Sequence, residues 1–263
     1  MKYLFIIAAL LFQIHIAAAQ AIQIPVGSKF KCTTAIDNLV EISVMDQHMQ
    51  MHSDGAIQFL YEVLNVNTNG YNLQVTPKHM SMNLMVNGRD QKIDTDSATD
   101  KNNPLYAKLF ELMNKPQAIE VKDNKVIKNA LLSEFNQSGL QDDPNKFFLT
   151  PSATQMHLGF QWKDSSMNEN TKVVNQYIII QISDSSVNVN VSSDFTIHNK
   201  VEQPGLTIDQ NLKGYSTGNR IYRKQNNLLK EETMDYTISG SAESNDMSSP
   251  VTMKMKIKST VEM

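Results

Sequence analysis

Apolar and polar residues alternate along the first third of the chain. From Ser28 to about Thr95 the pattern has period two and is interrupted by turn signals, which predicts antiparallel strands. The turn signals are residues 68–70, Thr-Asn-Gly, and residues 87–88, Asn-Gly. Odd positions stay in phase from Met49 to Val63, so one long strand with a bend at Gly55 is predicted. Strands of that length imply a curved or coiled sheet.

Helical patterns interrupt the strands in the middle of the chain. Asn103 and Pro104 are typical of a helix start, and a broad apolar face follows them as far as Met113. A second helix is predicted over residues 130–137, with a short hairpin of residues 118–122 and 125–128 before it. Residues 141–170 are rich in Asp, Asn, Ser and Pro, and we expect mostly loop there.

Strands return in the last third. The predicted strands are residues 173–182, 187–197, 206–215, 220–223, 228–239 and 253–261. No change of composition separates the two halves, so residues 20–263 are predicted to form a single β-rich domain. The predicted fold class is mainly β (α+β): an open or incomplete antiparallel β-barrel, or curved sheet, with two covering helices.

The first nineteen residues are typical of a secretory signal peptide. Lys2 precedes an apolar run, and small residues end the segment at Ala19, after which cleavage is predicted. A membrane anchor is the rival interpretation, but the apolar run is short for a span and no stop-transfer charges follow it. The mature chain contains no further long apolar stretch, so no transmembrane segment is predicted in it. We therefore expect a secreted or periplasmic protein.

Composition and charge exclude several classes of protein. Hydrophobic residues make up 41% of the chain and charged residues 19%, as in globular proteins. The net charge is −3, and the sequence has no block of basic residues, so a nucleic-acid partner is not expected. Cys32 is the only cysteine, which precludes an internal disulfide. We expect it to be a small buried side chain on an early strand.

Methionine and histidine cluster in QHMQMHSDG, residues 47–55, which raises the question of a copper site. On a strand, Met49 and Met51 face one way while His48 and His52 face the other, so they cannot share an ion. Methionines in HMSMNLMV and in the last strand occupy apolar positions in the same manner. We therefore predict no metal site, and we expect methionine on the inner face of a sheet.

A face rich in methionine suits either a dry core or a surface that accepts varied apolar ligands. The candidate ligand-binding residues are Met49, Met51, Met80, Met82, Leu109, Met113, Met253 and Met255. The predicted partner is thus an apolar small molecule or lipid, and the sequence indicates no particular protein partner.

Motifs for zinc hydrolysis, acyl transfer and nucleotide binding are absent, so no catalytic residue and no cofactor is predicted.

DTDSATD, residues 94–100, suggests a calcium site but lacks the glycine and final glutamate of the specific calcium-binding loop, and a solvated loop is favoured. Asn136 and Asn190 match the glycosylation pattern, which arises by chance in so Asn-rich a chain.

Several stretches resemble a domain-of-unknown-function family of secreted or periplasmic proteins of Bacteroidota-like bacteria. They are YEVLNVNTNGYNLQVTPKHMSMNL, DTDSATDKNNPLYAKLFELMNKPQAIEVKDNKVIKN, LGFQWKDSS, LKGYSTGNRIYRKQNNLLKEETMDYTISGS and MKMKIKSTVEM. The resemblance covers nearly all of the mature chain and rests on strand and turn patterns. It implies an exported protein and supplies no activity, ligand or site residue.

These observations favour an exported, non-catalytic protein that binds an apolar or lipid-like component of the cell envelope. One alternative is a structural or protein-interaction module of the envelope whose sheet interior is fully packed. The other is a hydrolase that uses Asp or Glu pairs not visible in the sequence.

Overall fold

The computed structural model of the protein describes residues 24–44, 47–67, 70–86, 88–101, 107–122, 125–129, 144–167, 170–203, 206–244 and 247–263. The predicted signal peptide and the predicted helix over residues 130–137 lie outside these ranges, as does Asn136.

Twelve strands form one antiparallel sheet in the described part of the chain, which confirms the predicted fold class. The strands are β1 Lys29–Val44, β2 Gln47–Asn67, β3 Gly70–Val86, β4 Arg89–Asp94, β5 Gln117–Lys122, β6 Lys125–Asn129, β7 Gln161–Met167, β8 Thr171–Ile182, β9 Ser186–Gln203, β10 Leu206–Arg223, β11 Leu229–Ser244 and β12 Met247–Glu262. Their order is β6-β5-β3-β2-β1-β12-β11-β10-β9-β8-β7, with β4 paired to the end of β3. The sheet is curved and does not close into a barrel.

Strand lengths exceed the predictions where a turn signal was weak. The 21 residues of β2 run without a break through Gly55, as predicted, and span about 70 Å. The residues predicted as two strands, 206–215 and 220–223, form the single strand β10. Gly218 lies inside β10, where a side chain would meet a carbonyl of β11, so this glycine marks close strand packing and not a turn.

Only a few of the described residues are helical. α1 spans Ala98–Lys101 and α2 spans Ala107–Leu112, which falls within the helix predicted over residues 104–113. The predicted start of that helix, at Asn103 and Pro104, lies outside the described residues. α1 begins within the segment predicted as a solvated loop. The end of α2 is attached to β3, because the backbone N–H of Asn114 donates to the carbonyl of Pro77 at 2.9 Å.

The prediction of loop around Trp162 was wrong. Residues 161–167 form β7, which pairs with β8 along its whole length. Trp162 is the only large apolar residue that β7 directs inward, so the strand lacks the repeated apolar positions by which a half-buried strand is recognised. Elsewhere in the predicted loop, the described residues include two short 3-10 helices, Pro144–Phe147 and Ala153–Gln155.

The two ends of the sheet differ in what covers its inner face. At one end, residues 144–152 lie against the inner face, and we call this segment the plug and this end the plugged end. Phe147 of the plug packs against Phe30 and Tyr61 in tilted ring contacts, with ring centroids 5.3 and 4.7 Å away. Phe148 forms an isolated bridge with Leu228, which precedes β11. The main core therefore forms where the sheet curls around the plug.

The opposite end of the sheet, the open end, has a second and separate apolar cluster. Its buried members are Val40, Leu212, Ile238 and Val251. Half-buried residues pack around them: Ile42, Met51, Phe195, Ile197, Ala242 and Met253. These ten residues, which we call the open-end patch, all belong to strands, and none belongs to the plug.

Candidate functional site

The six predicted strand methionines share the inner face of the sheet. The register pairs Val40 with both Met51 and Met253, and it pairs Ile42 with Met49 and Asn38 with Met255. Met80 and Met82 of β3 lie opposite Ile57 and Gly55 of β2, in the same phase. The predicted phase of the methionine positions is therefore confirmed.

The histidines that alternate with these methionines face the outer side. His48 Nδ1 lies 2.8 Å from Ser43 Oγ, and His52 Nε2 lies 2.9 Å from Asp37 Oδ1. Adjacent strand residues point to opposite faces, so neither imidazole meets the thioethers of Met49 and Met51. The geometry of this segment does not support a copper site.

The predicted binding residues occupy different environments. Met51 and Met253 belong to the open-end patch. Met80 and Met255 are buried, Met82 is half-buried, and Met49 is 38% exposed. Leu109 and Met113 are half-buried near α2, whose end is attached to Pro77 of β3. The structure thus brings two of the eight residues together in one patch, and binding by any of them stays a prediction.

Two adjacent cross-strand rows form the open-end patch. One row runs Met51, Val40, Met253, Ile238 and the next runs Ile42, Val251, Gly240, Leu212, Ile197. Phe195 lies over Gly214, where an added side chain would meet its ring. A glycine at this position lets the aromatic ring extend the apolar surface across β10.

Charge is absent from the described inner-facing side chains of five strands near the open end. On β1, β2, β10, β11 and β12, the positions between the Arg220–Glu232 row and the open end are apolar, glycine or uncharged polar. A fixed charge on an apolar surface carries a large desolvation penalty. This region therefore suits the hydrocarbon part of a ligand.

The plugged end carries a buried ion triad that sequence reasoning missed. Glu232 of β11 accepts from Lys146 Nζ of the plug at 3.0 Å and from Arg220 Nε of β10 at 2.8 Å. Ser259 Oγ of β12 lies 3.4 Å from the same carboxylate. Burial by itself raises the pKa of Glu232, but the charges and hydrogen bonds of Lys146 and Arg220 together lower it to about 2. Glu232 is thus ionised at neutral pH and fixed by both partners.

The triad attaches the plug to the sheet, and further hydrogen bonds and apolar side chains strengthen this attachment. Tyr222 Oη donates to the carbonyl of Lys146 at 3.0 Å, and the N–H of Leu149 donates to the carbonyl of Asn227 at 3.0 Å. The side chains of Phe147, Phe148 and Leu149 are all buried. The plug therefore occupies the inner face that a ligand would need at this end.

No family model and no curated protein matches the sequence. Among solved structures, the chain is similar to lipovitellin, in a structure described for its lipid–protein interactions, with a TM-score of 0.52 and 6% identity. The match covers 91% of this chain and 25% of that chain, so the protein spans about a quarter of the lipovitellin chain. At this identity the likeness concerns the fold alone. The resemblance to a family of exported proteins stays a prediction.

Two further solved structures match at lower similarity. An outer membrane channel from Pseudomonas putida F1 gives a TM-score of 0.22 at 7% identity, with 91% of this chain and 97% of that chain covered. Ail, the attachment invasion locus protein of Yersinia pestis, gives a TM-score of 0.16 at 5% identity, with 90% of this chain and 100% of that chain covered.

None of the helices that the structure describes has the length and apolarity needed to span a bilayer.

Proposed function

We propose that the protein is an exported, non-catalytic binding protein that holds a lipid-like component of the cell envelope against the open-end patch. The observation that carries the proposal is the pair of apolar rows on an inner face that the plug does not reach. An acyl chain suits this surface because it adds apolar contact without a charge or a hydrogen-bonding group to satisfy.

The methionines give the patch the adaptability that such ligands require. Met51 and Met253 are half-buried members of the patch, and Met49, on the neighbouring row beside Ile42, is 38% exposed. Thioether side chains are flexible and polarizable, so they conform to chains of different length and branching. The likeness in fold to lipovitellin, whose structure is described for its lipid–protein interactions, accords with this proposal.

A fluorescent fatty acid tests the proposal. Dansyl-undecanoic acid titrated into the purified protein should gain fluorescence, and Met253→Lys should weaken its binding at least about tenfold because the substitution places a charge within the patch. Thr252→Lys is the matched control, since Thr252 is the adjacent residue and faces the outer side. It should leave the affinity unchanged.

Two results contradict the proposal. One is a wild-type protein that does not bind the probe and yields no lipid on organic extraction, which would favour the structural or protein-interaction alternative. The other is equal binding by the two lysine variants, which would place the probe elsewhere.

The hydrolase alternative predicts turnover of an ester substrate, and an assay of the same preparation with p-nitrophenyl esters tests it.

A further inference from the structure

Three ligand-competent side chains converge on the outer face where β4 ends, beside the middle of β3. His79 of β3 directs Nε2 toward Asp94 Oδ1 at 3.2 Å and toward Asp96 Oδ2 at 3.6 Å. One ligand atom from each residue lies within 4.8 Å of both others. Two donors bound to one zinc ion lie about 3.0 to 3.4 Å apart, because each bond is about 2.1 Å long. Small side-chain adjustments therefore suffice for a shared ion.

The local fold fixes the three residues relative to one another. Thr95, between the two aspartates, is buried and bonds to Met80, the residue after His79. Its backbone N–H donates to the Met80 carbonyl at 2.9 Å, and its Oγ1 accepts from the Met80 N–H at 2.9 Å. The position of the imidazole relative to the carboxylates is thus set by buried contacts outside the cluster. A site whose ligands are already placed loses less conformational entropy on binding an ion.

We propose that His79, Asp94 and Asp96 form a surface site for a divalent cation of the zinc class, with water completing the coordination. One imidazole nitrogen and two carboxylate oxygens form a donor set that zinc, cobalt and manganese accept. Calcium is a poorer fit because it takes six to eight oxygen ligands. The imidazole from a different strand distinguishes this site from the calcium loop that the DTDSATD sequence suggests on its own.

A bound cation would clamp the β4–α1 junction to β3. Asp94 Oδ1 already accepts the N–H of Asp96 at 2.8 Å, and Asp100 Oδ2 accepts the N–H of Asp94 at 2.8 Å. The carboxylates of Asp94 and Asp96 supply the remaining protein ligands beside His79. The site lies on the outer face, opposite the inner-facing Met80, so cation binding does not depend on the proposed lipid ligand.

Isothermal titration of the full chain with ZnCl2 at neutral pH tests the site, and Co2+ provides a visible absorption band as a second readout. The wild type should bind one equivalent that His79→Asn and Asp96→Asn each weaken at least about tenfold. His52→Asn is the matched control, because His52 also contacts a carboxylate on the outer face, Asp37, but only one. It should leave the zinc affinity and the cobalt band unchanged.

Asp96→Asn keeps the test interpretable if His79→Asn perturbs folding, since the Asp96 side chain is 79% exposed. Wild-type protein that binds no zinc would overturn the proposal and leave an imidazole paired with two carboxylates. Equal zinc binding by the wild type, His79→Asn and Asp96→Asn would overturn it as well, because the ion would then bind at another place.

Discussion

The plugged end and the open end of the sheet are built from the same long strands, yet they differ in cover and in charge. At the plugged end, residues such as Val63 and Leu73 have no exposed surface, and they belong to the same buried cluster as Phe147 and Phe148 of the plug. At the open end, the most buried side chains retain 6 to 9% exposure, and their neighbours are half-buried. The strand pattern alone therefore does not decide whether an inner face becomes core or binding surface. The segment that packs against the inner face decides this.

The two ends of the sheet also differ in the charged side chains on their inner faces. The plugged end contains a carboxylate with two cations in contact, whereas the described inner face of the five strands toward the open end has none. A buried ion triad is costly to desolvate and strongly destabilising when one member is removed. We therefore expect the triad to favour one position of the plug, while the described inner face toward the open end is uncharged.

Removal of the central charge of the triad should have the largest effect. Glu232→Gln removes the carboxylate that pairs with the two buried cations Lys146 and Arg220, and we expect it to lower the free energy of unfolding by about 3 to 5 kcal/mol. Glu231→Gln is the matched control, because Glu231 faces the other side and pairs with the exposed Lys258. Its loss should be below about 1 kcal/mol in urea denaturation. Equal effects of the two variants would contradict the assigned role of the triad.

Acid should remove the contribution of Glu232 selectively. Its pKa in the folded protein is lowered from 4.5 to about 2, so the stabilisation is complete above pH 4.5 and is lost as the pH falls toward 2. The linked free energy is on the order of 3 kcal/mol. The difference in unfolding free energy between wild type and Glu232→Gln should therefore shrink across this interval. A difference that stays constant from pH 5 to pH 2.5 would show that Glu232 is not held ionised.

Matched valine truncations should distinguish the two ends. Val189→Ala at the plugged end and Val40→Ala in the open-end patch remove the same atoms, worth about 1.6 kcal/mol by transfer. The packed surroundings of Val189 add a cavity term, so we expect a loss of about 2 to 3 kcal/mol there and about 1.5 kcal/mol at Val40, where the transfer term dominates. Chemical denaturation measures both. A larger loss at Val40 would mean that the open end is the tighter core.

Ligand binding at the open end should have only a small effect on the single tryptophan. Trp162 stacks on Tyr177 with ring centroids 4.8 Å apart, and it packs against the main core. Tyr177 pairs with Val191, four residues and about 13 Å along β9 from Phe195 of the patch. Saturation with a non-fluorescent fatty acid should leave the emission maximum of Trp162 unshifted. A marked blue shift would place the ligand at the plugged end.

The sequence predicted what depends on local periodicity. The phase of Met51, Met80 and Met253 follows from period-two alternation, and the register confirms it. The strand β7 was missed because a single inward tryptophan gives no period. Lys146 and Glu232 are 86 positions apart, and neither residue type is expected to be buried. Local pattern therefore could not identify the contact that fixes the plug, nor separate the plugged end from the open end.

Photo-crosslinking with a diazirine-labelled palmitic acid, followed by peptide mass spectrometry, tests the central claim most directly. If the open-end patch binds an acyl chain, adducts should concentrate in the peptides that contain Met51 and Met253 and should diminish when unlabelled palmitic acid competes. Adducts confined to the plug or to the outer face, or labelling that the competitor does not reduce, would contradict the account.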